Sequence, residues 1–146
     1  MTGNALVLAI KSGGHNWSPA RWKQRFSTAC HNRKVVVLPD ETCPPDEVSY
    51  AAVWKPAPGI LGTFPNLRVI FNLGAGVDAL MADPTLPRVP VVRVVVDDLT
   101  ARMTEYVVLH VLLHHRRQLQ LLKDQRDRLW QPQHQWAAGA LTVGIM

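Results

Sequence analysis

Arg68-Val69-Ile70-Phe71-Asn72-Leu73-Gly74-Ala75-Gly76-Val77-Asp78 is the stretch that decides the fold. Its first half, Arg68 to Leu73, is an apolar run of strand length, and its second half is a glycine turn with little side-chain cover over its amides. Asp78 can cap a short helix through Met81, which Pro84 and Pro87 stop after about one turn. Several N–H groups can then converge on an anion, a nest that suits a carboxylate. By letters alone, Gly74 to Ala79 also matches the alanine-ended dinucleotide fingerprint, with Asp97 or Asp98 about 20 residues on. The prolines argue against that match, because the fingerprint needs a full crossover helix behind the turn. An ordinary strand-to-helix turn explains the same letters.

Outward from this stretch the pattern repeats. Ala5 to Ile10 is a strand-length apolar run ending in Lys11-Ser12-Gly13-Gly14, and Val35 to Leu38 is a β-branched run stopped by Pro39. Tyr50 to Trp54 and Val91 to Val96 read the same way. Ser18-Pro19 opens a helix to about Thr28, with Trp22 and Phe26 as its apolar stripe. Five strands alternating with short helical or turn-like segments predict a parallel sheet with right-handed crossovers. From Thr100 to about Leu129 neither proline nor glycine occurs, which predicts one long helix, opened by Asp97, Asp98 and Thr100. Its first half, Met103 to Leu113, is apolar on nearly every face and is expected to be buried all round. Its second half is polar, with Leu119, Leu122 and Leu129 as an apolar remnant, so the helix reads as one that passes between two domains and emerges. After Pro132 and Gly139, Leu141 to Met146 reads as the start of another strand.

Composition bounds the function. The 146 residues support one ordinary domain and not two full ones, and 47 % apolar with 18 % charged residues excludes a disordered tract. The longest nearly uncharged apolar run, Tyr106 to Leu113, is too short to span a bilayer. Ala5 to Ile10 has no basic residue before it and no cleavage pattern after it, so a cytoplasmic protein without a membrane partner is expected. Cys30 and Cys43 are expected as reduced thiols. The net charge of +5 is scattered without interleaved aromatics, a weak argument for a nucleic-acid partner.

Trp54-Lys55-Pro56-Ala57-Pro58 leaves its strand on the same sheet edge as the Gly74 turn, where ligands of open α/β sheets collect. A tryptophan wall with a nearby lysine suits a small acid; a core tryptophan beside a solvated lysine is an equal alternative. His110 and His114 share one helix face, yet Val111 stands where a zinc protease would carry its glutamate and no third ligand is evident, so no metal site is expected. Arg116, Arg117, Lys123, Arg126 and Arg128 are interrupted by Asp124 and Asp127 and read as a solvated helix face.

Taken together, Ala52-Val53-Trp54-Lys55-Pro56, the Asn72 to Asp78 turn, Met103-Thr104-Glu105-Tyr106-Val107-Val108 running to Arg116-Arg117, Trp130-Gln131-Pro132 and the terminal Leu141 to Met146 resemble the N-terminal part of the D-isomer-specific 2-hydroxyacid dehydrogenases, within them the glyoxylate/hydroxypyruvate reductase A group. The resemblance covers nearly everything beyond residue 50 and implies a flavodoxin-like substrate domain joined to a Rossmann domain. It implies a substrate domain over 1–99, an interdomain and dimerisation helix over 100–129, a dimerisation arm over 130–140 and the first strand of a truncated NAD(P)-binding domain over 141–146. It further implies a small 2-keto acid substrate, NADPH or NADH as cofactor, and a homodimer. By the same resemblance the amides around Gly74, Ala75 and Gly76 hold the substrate carboxylate, Trp54 and Lys55 line its pocket, Met103 lies near the nicotinamide, and Trp130 reaches the partner's pocket.

The family's final strand runs into Gly-x-Gly-x-x-Gly, whereas this sequence stops at Met146. The polarising arginine and the histidine–glutamate pair belong to the part not present, so no catalytic residue is assigned and tight cofactor binding is not expected. The expected function is the substrate-binding part of a 2-keto acid reductase, inactive as this chain. The alternative is a non-catalytic carboxylate-binding or dimerisation module.

Overall fold

The computed structural model describes residues 4–11 and 18–144; the turn expected through Ser12-Gly13-Gly14 and the last two residues, Ile145 and Met146, lie outside the described residues. The chain divides into two compact units, residues 1–95 and 96–146.

The first unit carries β1 (Ala5–Ile10), α1 (Pro19–Ala29), β2 (Lys34–Leu38), β3 (Val48–Trp54), β4 (Val69–Asn72), α2 (Asp78–Met81) and β5 (Val91–Arg93). All strand pairings are parallel, in the order β2-β1-β3-β4-β5. This is the α/β sheet that the alternation predicts, in the flavodoxin-like order. Every residue of β1 is buried, as befits a central strand covered on both faces. Successive side chains of a strand point to opposite faces. Ala5, Val7 and Ala9 therefore join Val36, Ala51, Val53 and Ile70 on one side, where Leu61, Phe64 and Leu80 close the core. Leu6, Leu8 and Ile10 join Val35, Val37 and Ala52 on the other, where Trp22 and Phe26 of α1 pack with rings 6.0 Å apart. β5 is shorter than the run Val91 to Val96, because the Val94 amide turns to the Gly74 carbonyl at 3.3 Å.

Two carboxylates brace this unit. Glu41 pairs with Lys23 of α1 and accepts from the Val37 amide, and these contacts hold its carboxyl below the usual range. Asp83 accepts from the Thr85 hydroxyl at 2.6 Å, the Gly59 amide at 2.8 Å and the Thr85 amide at 2.9 Å, which likewise lowers its carboxyl. Through Gly59, whose φ of 84° suits a residue without a side chain, Asp83 anchors the loop that follows β3.

The second unit departs from the sequence reading. The expected single helix is two, α3 (Asp97–His115) and α4 (Gln118–Arg126), parted at Arg117 in the left-handed conformation with φ 50°. The break is held by the returning chain, with Arg117 Nη1 donating to Gln133 Oε1 at 3.1 Å and Gln135 Nε2 to the Arg116 carbonyl at 3.4 Å. Nor is Met103 to Leu113 buried all round: α3 has no buried residue, and Tyr106, Leu109 and Leu112 are each half exposed or more. A unit of roughly fifty residues cannot enclose an apolar helix on every side. Leu141 to Gly144 form no strand, since nothing among the described residues pairs with them.

Candidate functional site

β4 ends in Asn72, which is 4 % exposed and polar in an otherwise apolar strand. Its Nδ2 donates to the Gly74 carbonyl at 2.7 Å and the Gly76 carbonyl at 2.8 Å, so one buried amide gathers two carbonyls of the turn. The peptide unit is planar and trans, so each N–H points opposite to the carbonyl it is joined to. The amides of Ala75 and Val77 therefore face away from Asn72, on one side of the turn. Ala75 gives its carbonyl to Arg93 Nη1 at 3.3 Å. The amides of Ala75, Gly76 and Val77 donate to no protein group among the described residues. Unshielded donors of this kind form an anion-binding concavity.

The two glycines of the turn differ in what surrounds them. Neither Gly74 nor Gly76 is left-handed; the only positive-φ glycine among the described residues is Gly59. Gly74 is required by close approach, because a Cβ there would lie 2.0 Å from Trp54 Cζ3. Gly76 has room, its nearest neighbour being the Asp78 carboxylate at 3.7 Å from such a Cβ. Asp78 is the first residue of α2 and makes no side-chain capping bond, contrary to the capping role read for it. Its carboxylate instead puts a negative charge beside the turn.

Trp54 packs against the core face that holds Leu8 and Ala52 and covers Gly74. Lys55 is exposed, left-handed with φ 47°, and places its ammonium 5.7 Å from the Trp54 ring centre. Trp54, Lys55, Gly74, Ala75 and Gly76 thus gather at the carboxyl edge of one sheet. Met103 and Trp130 belong to the second unit, 53 % and 93 % exposed. His110, His114 and His115 line a cleft of about 710 Å³ in that unit with Trp136. No group of residues suited to a metal occurs among the described residues, and the Tyr106 and His110 rings lie tilted against one another with centres 4.3 Å apart.

Sequence reasoning missed Asn72, Arg93 and the Val77 amide. Asn72 was legible as a lone amide closing an apolar strand. Arg93 becomes visible only once the register sets it opposite Asn72. The turn does not fit a dinucleotide: α2 spans four residues, so no crossover helix stands behind the glycines.

No family model matches the chain. Over 103 residues it is 38 % identical to glyoxylate/hydroxypyruvate reductase A of Yersinia enterocolitica, covering 66 % of this chain and 33 % of that protein. The same enzyme of Serratia proteamaculans is 35 % identical over 105 residues, with the same coverage. The structure matches a D-isomer-specific 2-hydroxyacid dehydrogenase of Xanthobacter autotrophicus Py2, in complex with NADPH and MES, with a TM-score of 0.77 and 35 % identity over 95 % of this chain and 44 % of that one. An NADPH-dependent glyoxylate/hydroxypyruvate reductase of Sinorhizobium meliloti, in complex with NADP and sulfate, gives 0.76 and 32 % over 92 % and 42 %. The chain is similar to part of the D-isomer-specific 2-hydroxyacid dehydrogenases. It spans about a third of the length of these curated relatives and under half of the solved ones.

The geometry separates the two glycines experimentally. Gly74→Ala drives a methyl into a rigid indole and should lower stability by about 1–3 kcal/mol, whereas Gly76→Ala should stay within about 0.5 kcal/mol of the parent. Urea unfolding followed by tryptophan fluorescence checks both; equal losses would contradict the close approach.

Proposed function

We propose that this chain is the substrate-binding part of an NADPH-dependent 2-keto acid reductase, with glyoxylate or hydroxypyruvate as the substrate class. The observation that carries the reading is the turn itself: Asn72 and Arg93 occupy the carbonyls of Gly74, Ala75 and Gly76, leaving free amides on Ala75, Gly76 and Val77. A carboxylate oxygen can accept from the Ala75 and Val77 amides together. Arg93, which spends one donor on Ala75, and Lys55 supply positive charge against the negative neighbour Asp78. Trp54 fixes the turn by covering Gly74. The relatives' complexes with MES and with sulfate agree with an oxyanion-binding site.

These residues bind and orient the acid; no hydride step is assigned to them, because the turn does not fit the cofactor. Met103 is assigned to the nicotinamide side and Trp130 to the partner's pocket on the strength of the resemblance. The same basis gives the boundaries 1–99, 100–129, 130–140 and 141–146. A homodimer is part of the proposal, supported by the exposed Tyr106, Leu109 and Leu112 of α3.

Titration with oxalate, followed by amide NMR, tests the central claim. The Ala75, Gly76 and Val77 resonances should move first and saturate, and Arg93→Ala should weaken binding about tenfold, as for a lost charge-assisted hydrogen bond. Uniform, non-saturating shifts would sink the reading. The 146-residue chain mixed with NADPH and glyoxylate should show no cofactor oxidation above the blank at 340 nm; turnover that survives repurification would mean these residues build a nicotinamide site after all. Sedimentation velocity should report a species larger than the 16.3 kDa monomer, and a clean monomer would remove the dimer from the proposal.

A further inference from the structure

α4 ends in a turn that brings the chain back over one of its faces. Arg128 is left-handed with φ 55°, the Leu129 amide bonds the Asp124 carbonyl at 2.8 Å, and the Arg128 amide bonds the Gln125 carbonyl at 3.2 Å. These two bonds are the paired cap that closes a helix at a left-handed residue. Leu121, Asp124 and Gln125, three and four positions apart, share the helix face that meets the returning chain. Between that face and Leu129, Gln131 and Pro132 lies a cleft of about 370 Å³. It belongs wholly to the second unit and takes no residue of the Gly74 turn, nor Trp54, Lys55 or Arg93. Its size falls at the small end of ligand cavities, which span roughly 300–1,000 Å³.

Asp124 forms the floor of this cleft. The sequence reads it as one charge on a solvated helix face, but it is 5 % exposed. Its Oδ1 accepts from Gln120 Nε2 at 2.7 Å, whereas its Oδ2 is buried without a hydrogen-bond partner among the described residues. Lys123, Arg126 and Arg128 flank it in sequence, yet no cation pairs with it among the described residues. A buried carboxylate oxygen without a donor is costly, so the position calls for one. Asp124 also stands in the last turn of α4, where the helix dipole favours positive charge.

We propose that this cleft is a binding site for a small primary alkylammonium ion. The ammonium donates to Asp124 Oδ2, and the hydrocarbon body lies along Leu121, Leu129 and Pro132. Only one carboxylate oxygen is unpartnered, which suits a compact point charge. A guanidinium fork needs both oxygens for its paired bonds, and Gln120 already holds one. An anion would meet the Asp124 charge, and an alcohol would supply a donor without the charge that the carboxylate lacks. Trp130 borders the cleft but is 93 % exposed and gives it little wall, so the site stands whether or not Trp130 reaches a partner's pocket.

The test is amide NMR of the full chain titrated with butylammonium chloride, alongside butylguanidinium, butanol and butyrate. Butylammonium should shift Leu121, Asp124, Gln125, Leu129 and Gln131 saturably and bind at least roughly tenfold tighter than butanol, the difference expected for a charge-assisted hydrogen bond. Butylguanidinium should bind more weakly than butylammonium, and butyrate should leave these resonances in place. Asp124→Asn, which keeps an oxygen for Gln120, should weaken butylammonium about tenfold while leaving the oxalate response of Ala75 to Val77 unchanged. The proposal is overturned if butanol or butylguanidinium matches butylammonium, if the shifts fail to saturate or fall outside the cleft, or if Asp124→Asn changes nothing. Should that variant fail to fold, the comparison of butylammonium with butanol on the parent chain decides alone.

Discussion

One buried amide group sets the shape of the candidate site. Asn72 sits at the end of a core strand, 4 % exposed, where its NH2 group must be satisfied internally or cost the strand stability. It finds its two acceptors two and four residues further along the same chain. That solution curls the backbone over the strand end and, through peptide planarity, turns the Ala75 and Val77 amides outward. The outward-facing amides of the turn thus follow from the demand of a buried side chain, and not from a glycine in an unusual conformation.

Charge and packing around the turn follow from sheet geometry. The register sets Arg93 beside Asn72, which brings its guanidinium to the Ala75 carbonyl. Trp54, at the end of the neighbouring strand, has its ring on the face shared with Ala52, and only the missing side chain of Gly74 lets it lie so close. Trp54 therefore joins core to site, and a change in its packing is transmitted directly to the turn. Asp78 opposes the trend: its carboxylate beside Gly76 offsets part of the positive charge that Arg93 brings to the turn.

Much of this unit was legible before any coordinates. The five strands, α1 with its Trp22–Phe26 stripe and the turn after β4 all carry local signals: β-branched runs, prolines at element starts and stops, and glycines at the strand end. What the letters hid was relational. Gly74 and Gly76 look equivalent in sequence, yet one is fixed by a ring from another strand and the other faces open space. Arg93 looks like an ordinary strand-end cation until parallel pairing places it next to Asn72. Arg117 carries no breaker signal; its left-handed backbone is held by Gln133 and Gln135, from a segment that returns to it.

The helix from Asp97 to His115 shows why composition and burial part company. Its apolar residues are distributed around the cylinder, so no single face can be turned to water without exposing leucine, valine or tyrosine. Among the described residues of its own unit the only other helix of regular length, α4, is largely polar, and the segment after it has no further helix beyond one short turn at Ala138–Ala140. The amount of covering surface is therefore too small, whatever the packing. An apolar periphery on this scale is a demand for contact with another surface. That demand is independent of the Asn72 turn, which is built wholly within the first unit.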